Sequence, residues 1–221
     1  SSGTLKLYNN VGALRLDLAY GSRVPWPAVP VGAGHSLVLA RPSLGEADPA
    51  AWATSEFAGG SPGSWDPAVP DALRNVVINE FLAHTDPPAL DYVELYNHSN
   101  ATVDLSGCWL SDDPATNKFR LPASTRIPPR SFLVFTETDL GFRLDASGET
   151  IYFRNPDATR LIDCVRFDAQ ENGVASGRVP DGAPTIRRLV QTSPGAANPR
   201  WRPESIVINE LMYAPISGNE D

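Results

Sequence analysis

Apolar residues along the chain come in short runs that turn residues separate. The run "DYVELYN" alternates, with Tyr92, Glu94 and Tyr96 on one face of a strand and Val93 and Leu95 on the other. Turn-forming residues fill the intervals, as in "HTDPP", "NHSNAT" and "NPDAT". We find no window of twelve residues with an apolar stripe at helical spacing and a capping residue at its start. The pattern predicts an all-β, immunoglobulin-like antiparallel β-sandwich.

Three motifs occur twice and in the same order. "VVINEF" at residues 76–81 returns as "IVINEL" at 206–211, 130 positions later. "GSPGSWDP" at 60–67 returns as "TSPGAANP" at 192–199, 132 positions later. "TLKLYN", near the start, returns as "TIYFRN" at an offset of 146, and a longer tail after the first copy explains the difference. Such repetition indicates tandem copies of one domain.

The order of these motifs divides the chain into one complete copy and two partial ones. Residues 75–200 form the complete domain, which V-I-N-E opens and S-P-G closes. Residues 1–74 are then the C-terminal half of a preceding copy plus a linker, and residues 201–221 are a linker plus the first strand of a further copy. We expect 1–74 to form paired strands only where they dock on another surface, such as a strand near Ile206.

The motifs of the complete copy resemble those of the lamin tail domain, in the bacterial form that occurs in tandem in large exported proteins. The resemblance covers about 76–199 and follows, in order, "VVINEFLAH", "DYVELYN", "VDLSGCWLSDD", "IPPRSFLVF", "LDASGETIYFRN" and "SPGAANP". It implies an immunoglobulin-like β-sandwich. The chain departs from the family pattern where Cys108 follows the glycine of "DLSG", because the family usually has an aromatic residue there.

Charge and hydropathy narrow the range of partners. The 221 residues carry a net charge of −8, and nucleic-acid phosphates require clustered Lys and Arg, so we expect no nucleic-acid partner. The sequence contains no run of about 18 apolar residues, so we predict no transmembrane segment. The partners that remain are other domains of the same chain and an unknown protein or surface ligand.

The sequence offers no arrangement that is typical of catalysis. His35, His84 and His98 are isolated from one another. H-x-x-x-H, C-x-x-C and G-x-S-x-G are absent, as is a phosphate-binding loop that ends in Lys. We therefore predict that the chain is not an enzyme and has no catalytic residue and no cofactor-binding residue.

Acidic residues provide the candidates for metal chemistry. Glu80 and Glu94 lie inside predicted strands, where an unpaired charge is costly. They either accept hydrogen bonds or pair with an arginine, or they belong to a calcium site. The calcium candidates in the neighbouring turns are Asp86, Asp91, Asp112 and Asp113. Their spacing matches no known calcium loop, which favours the structural interpretation.

Two cysteines, Cys108 and Cys164, permit one disulfide. Both lie in apolar, strand-like runs, so they are either two buried thiols or a bridge in an exported protein. A catalytic cysteine is disfavoured, because no histidine lies in a recognisable partner motif.

Tryptophans are the candidates for a sugar-binding face, because exposed aromatic rings stack on flat sugar surfaces. Trp26, Trp52 and Trp65 belong to the first partial copy, and Trp201 belongs to a linker. Their spread over different segments argues against a single platform and for packing roles.

The leading hypothesis is a non-catalytic module of a large exported or cell-surface bacterial protein. Its role would be spacing, adhesion or presentation of neighbouring domains, at an extracellular or cell-surface location. The alternative is the accessory, non-catalytic region of a multidomain enzyme such as a spore-coat-type kinase or a nuclease. A nuclear lamin tail is disfavoured, because a heptad rod, a basic localisation run and a prenylation motif are absent.

Overall fold

The computed structural model describes residues 2–21, 26–27, 33–64, 66 and 71–203. The second V-I-N-E motif and the strand predicted near Ile206 lie outside these residues. The strands are β1 (Gly3–Tyr8), β2 (Leu14–Tyr20), β3 (Leu37–Leu39), β4 (Trp52–Thr54), β5 (Val76–Leu82), β6 (Tyr92–Asn97), β7 (Val103–Asp104), β8 (Trp109–Ser111), β9 (Phe119–Arg120), β10 (Arg126–Ile127), β11 (Phe132–Thr136), β12 (Thr150–Arg154), β13 (Leu161–Arg166), β14 (Ser176–Arg178) and β15 (Ile186–Arg188). The helical elements are α1 (Glu137–Leu140) and short 3-10 turns at Pro42–Leu44, Pro49–Ala51 and Ala72–Asn75.

Two antiparallel sheets form a sandwich that begins with β5 and ends with β15. One sheet has the strand order β11-β6-β5-β14-β15, and the other has the order β13-β12-β8-β9. Their inner faces share one apolar core, to which Phe81 and Leu95 contribute from the first sheet and Leu110 and Phe153 from the second. The predicted all-β, immunoglobulin-like sandwich is confirmed.

Strand β6 shows what covers the outer face of the five-stranded sheet. Val93 and Leu95 join the core, as the alternation predicts. Tyr92, Glu94 and Tyr96 point to the other face and are also buried. An antiparallel sheet often leaves one face to water, but here the chain beyond β15 covers part of it. Beyond Leu189 this segment turns back, and the Arg202 N–H donates to the carbonyl of Arg188 at 2.7 Å.

Cys108 and Cys164 are not joined by a disulfide. Cys164 on β13 pairs with Tyr152 on β12, and Tyr152 pairs with Ser111 on β8, the strand that directly follows Cys108. A whole strand therefore separates the two cysteines. Two inter-strand spacings of about 4.8 Å each give a separation larger than the roughly 7 Å that the Cα atoms of a disulfide can span. The bridge that the sequence permits is therefore not formed. Cys108 lies fully buried in the core instead, and burial raises the pKa of its thiol to about 12.

The described part of residues 3–66 contains two hairpins followed by an S-P-G turn. β1 pairs with β2, and β3 pairs with β4. In the sandwich, β12 pairs with β13 and β14 pairs with β15 before the second S-P-G turn, so the order of elements is the same. Burial differs, because Leu5 and Leu7 of β1 are 53% and 58% exposed whereas Ile151 and Phe153 of β12 are fully buried.

The segment after β4 attaches to the sandwich through a buried ion-pair cluster. Phe57 forms a β-bridge with Arg160. Glu56 is buried and pairs with the guanidinium of Arg160 at 2.6 Å, as well as with Arg74. Asp71 binds the same Arg160 guanidinium at 2.6 Å.

Candidate functional site

The motif that opens the sandwich binds the motif that closes it. Glu80, the glutamate of V-I-N-E, lies on β5 and is fully buried. Its carboxylate accepts hydrogen bonds from the Tyr92 hydroxyl, the Ser193 hydroxyl and, at 2.9 Å, the Ser193 backbone N–H. These three donors offset the cost of burying the charge.

Glu94 lies directly opposite Glu80 on β6. Its carboxylate accepts from the Asn79 side chain at 3.2 Å and from the Gly195 backbone N–H at 2.7 Å. Burial, together with the charges of Glu80 and Asp181, raises the pKa of Glu94 to about 7 even though its hydrogen bonds act to lower it. Burial next to Glu80 also raises the pKa of the Tyr92 hydroxyl.

Two asparagines complete the network. The Asn79 amide donates to Asp181 at 3.0 Å, and its oxygen accepts the Gly182 N–H at 3.1 Å. The Asn198 amide donates to the backbone carbonyls of Asn79 at 3.1 Å and Arg178 at 2.9 Å. We refer to Asn79, Glu80, Glu94, Ser193, Gly195 and Asn198 as the clasp.

Gly177 makes room for the clasp. It lies opposite Glu80 on β14. A Cβ atom at this position would lie 2.5 Å from the Asn198 side-chain nitrogen and 2.9 Å from the Asn79 carbonyl oxygen. The close approach of the closing turn to β5 therefore requires glycine.

The hydrogen bonds of the clasp show which interpretation of Glu80 and Glu94 applies. Both side chains accept hydrogen bonds, as the structural interpretation predicts, but their donors are hydroxyl, amide and backbone groups and not an arginine. The nearby arginine, Arg178, pairs with Asp163 at 3.0 Å and donates to the Ile78 carbonyl. The carboxylates thus hold the ends of the domain together.

The four calcium candidates each have a local partner. Asp86 accepts from the Asn172 amide at 2.6 Å, and Asp91 accepts from the Thr85 hydroxyl at 2.8 Å. Asp112 pairs with Lys118 at 2.5 Å, and Asp113 accepts the Ala115 N–H at 2.8 Å, which lowers the pKa of Asp113. Within the described residues, no three His, Cys, Asp or Glu side chains gather as a metal site requires. Calcium binding stays a prediction that this geometry does not support.

Each histidine lies close to a backbone carbonyl. A ring nitrogen of His35 lies 2.9 Å from the Ser55 oxygen, one of His84 lies 2.9 Å from the Gln170 oxygen, and one of His98 lies 3.3 Å from the Arg74 oxygen. The Ser55 hydroxyl lies 3.5 Å from the His35 ring but donates to the Phe57 carbonyl at 2.9 Å. This hydroxyl is therefore not oriented as an activated nucleophile would be.

A cleft of about 880 Å³ lies beside the sandwich, and sequence reasoning missed it. Trp26, Trp52 and Trp201 line it together, and the rings of Trp26 and Trp52 lie 6.2 Å apart. The expectation that the tryptophans share no common surface therefore needs correction for these three, because the segment around β4 docks next to the strand that contains Arg166. Trp65 lies outside the described residues.

The sheet order and the clasp define an immunoglobulin-like β-sandwich module. Residues 70–169 match the family model described as Lamin Tail Domain, so this part of the chain is similar to that family. Comparisons with curated proteins and with solved structures found no match. The match ends before β14. Strands β14 and β15 nevertheless belong to the same sheet as β5, and the S-P-G turn belongs to the clasp. No helix in the described part of the chain has the length and apolar character to cross a membrane.

Proposed function

We propose that the chain is a stretch of tandem lamin-tail-like modules in a large exported or cell-surface bacterial protein, where it spaces and presents neighbouring domains. The clasp is the observation that carries this proposal. The V-I-N-E and S-P-G motifs bind each other through buried hydrogen bonds, so their chemistry serves closure of a domain.

The tandem arrangement is supported by the T-x-x-x-x-N hairpins. The Asn9 side-chain oxygen accepts the Ala13 N–H at 2.8 Å, and the Asn155 side-chain oxygen accepts the Arg160 N–H at 2.9 Å. The strand register shifts after Leu7 in β1 and after Phe153 in β12, which are equivalent positions at the offset of 146. The two hairpins therefore share turn chemistry and the position of the irregularity.

The two S-P-G turns are also alike. Ser61 Oγ lies 3.1 Å from Asp66 Oδ1, and Ser193 Oγ lies 3.1 Å from Asn198 Oδ1. The glycines of the two turns have φ angles of 80° and 82°, a region that glycine enters without steric cost. Such agreement supports a shared domain plan for the two regions.

The position of β5 suits a spacer that bears load. This first strand lies between β6 and β14 inside its sheet, and the clasp binds it to the end of the domain. A central strand cannot peel from an edge, so the domain resists extension until both sets of contacts break together.

Single-molecule extension of the full chain tests this role. We expect one discrete unfolding event for residues 76–202 with a contour-length gain of about 40 nm, from roughly 3.3–3.6 Å per residue. Ser193→Ala should lower the unfolding force and Ser61→Ala should not. Gradual extension without a discrete event would contradict the spacer role.

Protease treatment of intact source cells tests the location of the protein, since a surface protein is cut and an internal one is protected.

A further inference from the structure

Residues of β13 and β15, the end strands of their sheets, line the cleft. None of the clasp residues lines it. The cleft therefore takes no part in closing the domain, and its chemistry has to be explained separately.

Positive charge is concentrated in this cleft. Five arginines among the described residues line it, in a chain with a net charge of −8. Arg178 and Arg202 are held in ion pairs with Asp163 and Glu171. Arg166, Arg187 and Arg188 form no ion pair with any residue that the structure describes, and all three are exposed. Arg188 donates one guanidinium N–H to the Ala169 carbonyl at 3.3 Å, and the remaining donors of the three arginines can bind an anionic ligand.

Aromatic faces lie beside these cations. The Trp52 indole N–H donates to the Glu46 carbonyl at 2.9 Å, so this side chain offers the cleft its ring carbons and not a donor. Trp201 is 40% exposed, and the Arg187 guanidinium lies 4.9 Å from its ring centroid. A stacked guanidinium keeps its edge donors free to bind a carboxylate in a bidentate manner.

We propose that this cleft binds the carboxylate-bearing sugar rings of an acidic glycan. The tryptophan faces stack against the rings, whose C–H groups meet the electron-rich aromatic surface. The arginines bind the carboxylates, and the volume falls within the usual range for a small-ligand site. This binding activity goes beyond the spacer role and does not depend on it.

Two other anionic partners fit the cleft less well. An acidic peptide would gain most affinity by adding a strand to the edge of β15, but residues 200–202 already use that edge through Arg202 N–H to Arg188 and Val190 N–H to Arg200. A single-stranded nucleic acid needs a continuous cationic track. The acidic side chains of Asp168 and Glu171 lie beside the cleft and interrupt such a track.

Calorimetric titration of the full chain with tri-galacturonic acid at low ionic strength tests the proposal. We expect saturable binding that the Arg166→Gln/Arg187→Gln double variant weakens at least about tenfold, since each exposed charge-assisted contact is lost. Trp201→Leu should weaken it as well. The matched control is Arg120→Gln, because Arg120 stacks 5.3 Å from the Trp109 ring but lies outside the cleft. This control should bind within twofold of the parent protein.

The remaining probes decide whether the ligand class is right. Neutral maltotriose should not bind. The proposal is overturned if tri-galacturonic acid fails to bind, or if the double variant binds it as well as the Arg120→Gln control does. It is also overturned if hexaglutamate or a thymidine hexanucleotide binds more tightly than the sugar acid. Clasp stability is measured separately, so any of these results leaves the spacer role to its own test.

Discussion

The hairpins and turns of residues 3–66 and of residues 150–198 have the same local geometry and different burial. Asn9 and Asn155 close their hairpins in the same way, and the two S-P-G turns share a serine contact and a glycine conformation. The second set forms part of the sandwich, where Ser193 meets the buried Glu80, whereas Leu5 and Leu7 of the first set are exposed. Short motifs therefore specify turns, whereas the strand that begins at Val76 supplies the partner that makes the turn part of a core.

The largest effect is expected from filling the space that lets the closing turn approach β5. Gly177→Ala places a methyl group against the Asn79 backbone and the Asn198 amide, so we expect a loss of about 3 kcal/mol in the free energy of unfolding. Gly195→Ala is the control, with a positive φ but open space around the Cβ position, and should cost about 1 kcal/mol. Urea denaturation measures both. Equal losses for the two variants would show that close approach at Gly177 is not required.

Substitution of the serine in each S-P-G turn shows whether Ser193 stabilises the domain through the clasp or only through the turn. Ser193→Ala leaves the Glu80 carboxylate buried with one donor fewer, so we expect a loss of about 2 kcal/mol. Ser61→Ala removes only a contact to Asp66 within the turn and should change stability by less than about 0.5 kcal/mol. Thermal and urea unfolding of the two variants side by side provide the comparison. A similar loss at both positions would argue that the turn alone, and not the clasp, accounts for the effect.

Protonation of Glu94 makes the clasp sensitive to pH. Its pKa is about 7 in the folded protein against an ordinary value of 4.5, so the folded state retains a proton that the unfolded chain releases. The resulting stability is fully present below about pH 4.5 and is lost as the pH rises to about 7, with a magnitude on the order of 3 kcal/mol.

Urea denaturation of Glu94→Gln between pH 4.5 and 7.5 should show a flatter stability profile than the parent protein. The pKa of Glu149 is raised to about 7 in the same direction, mainly by burial, so Glu149→Gln is measured in parallel to separate the two contributions. A profile for Glu94→Gln that overlays the parent profile would mean that Glu94 does not hold the proton.

The smallest effect concerns the cysteines. Because an intervening strand separates Cys108 from Cys164, we expect two reactive thiols in denatured, unreduced protein and no change of melting temperature on addition of a reductant. Mass spectrometry after alkylation gives the count. A single species without free thiols would contradict the strand order.

Much of the fold could be predicted from the sequence because it depends on local pattern. Alternation predicts Val93 and Leu95 in the core, and the start of "VVINEF" coincides with the start of β5. The partners of Glu80 could not be predicted, because Ser193 is 113 positions away and periodicity carries no information on which distant turn covers a face. The cleft was missed for the same reason. Its three tryptophans are Trp26, Trp52 on β4 and Trp201 after β15, and only the tertiary structure brings them together.

A double-mutant cycle between Glu80 and Ser193 measures whether the opening and closing motifs bind each other. Glu80→Met and Ser193→Ala each remove one side of the hydrogen bond between the Ser193 hydroxyl and the Glu80 carboxylate, whereas the double variant removes both sides. We predict that the double variant loses about 1–2 kcal/mol less than the two single losses added together. Losses that add to within about 0.5 kcal/mol would show that Glu80 and Ser193 do not stabilise each other, because independent sites behave in that way.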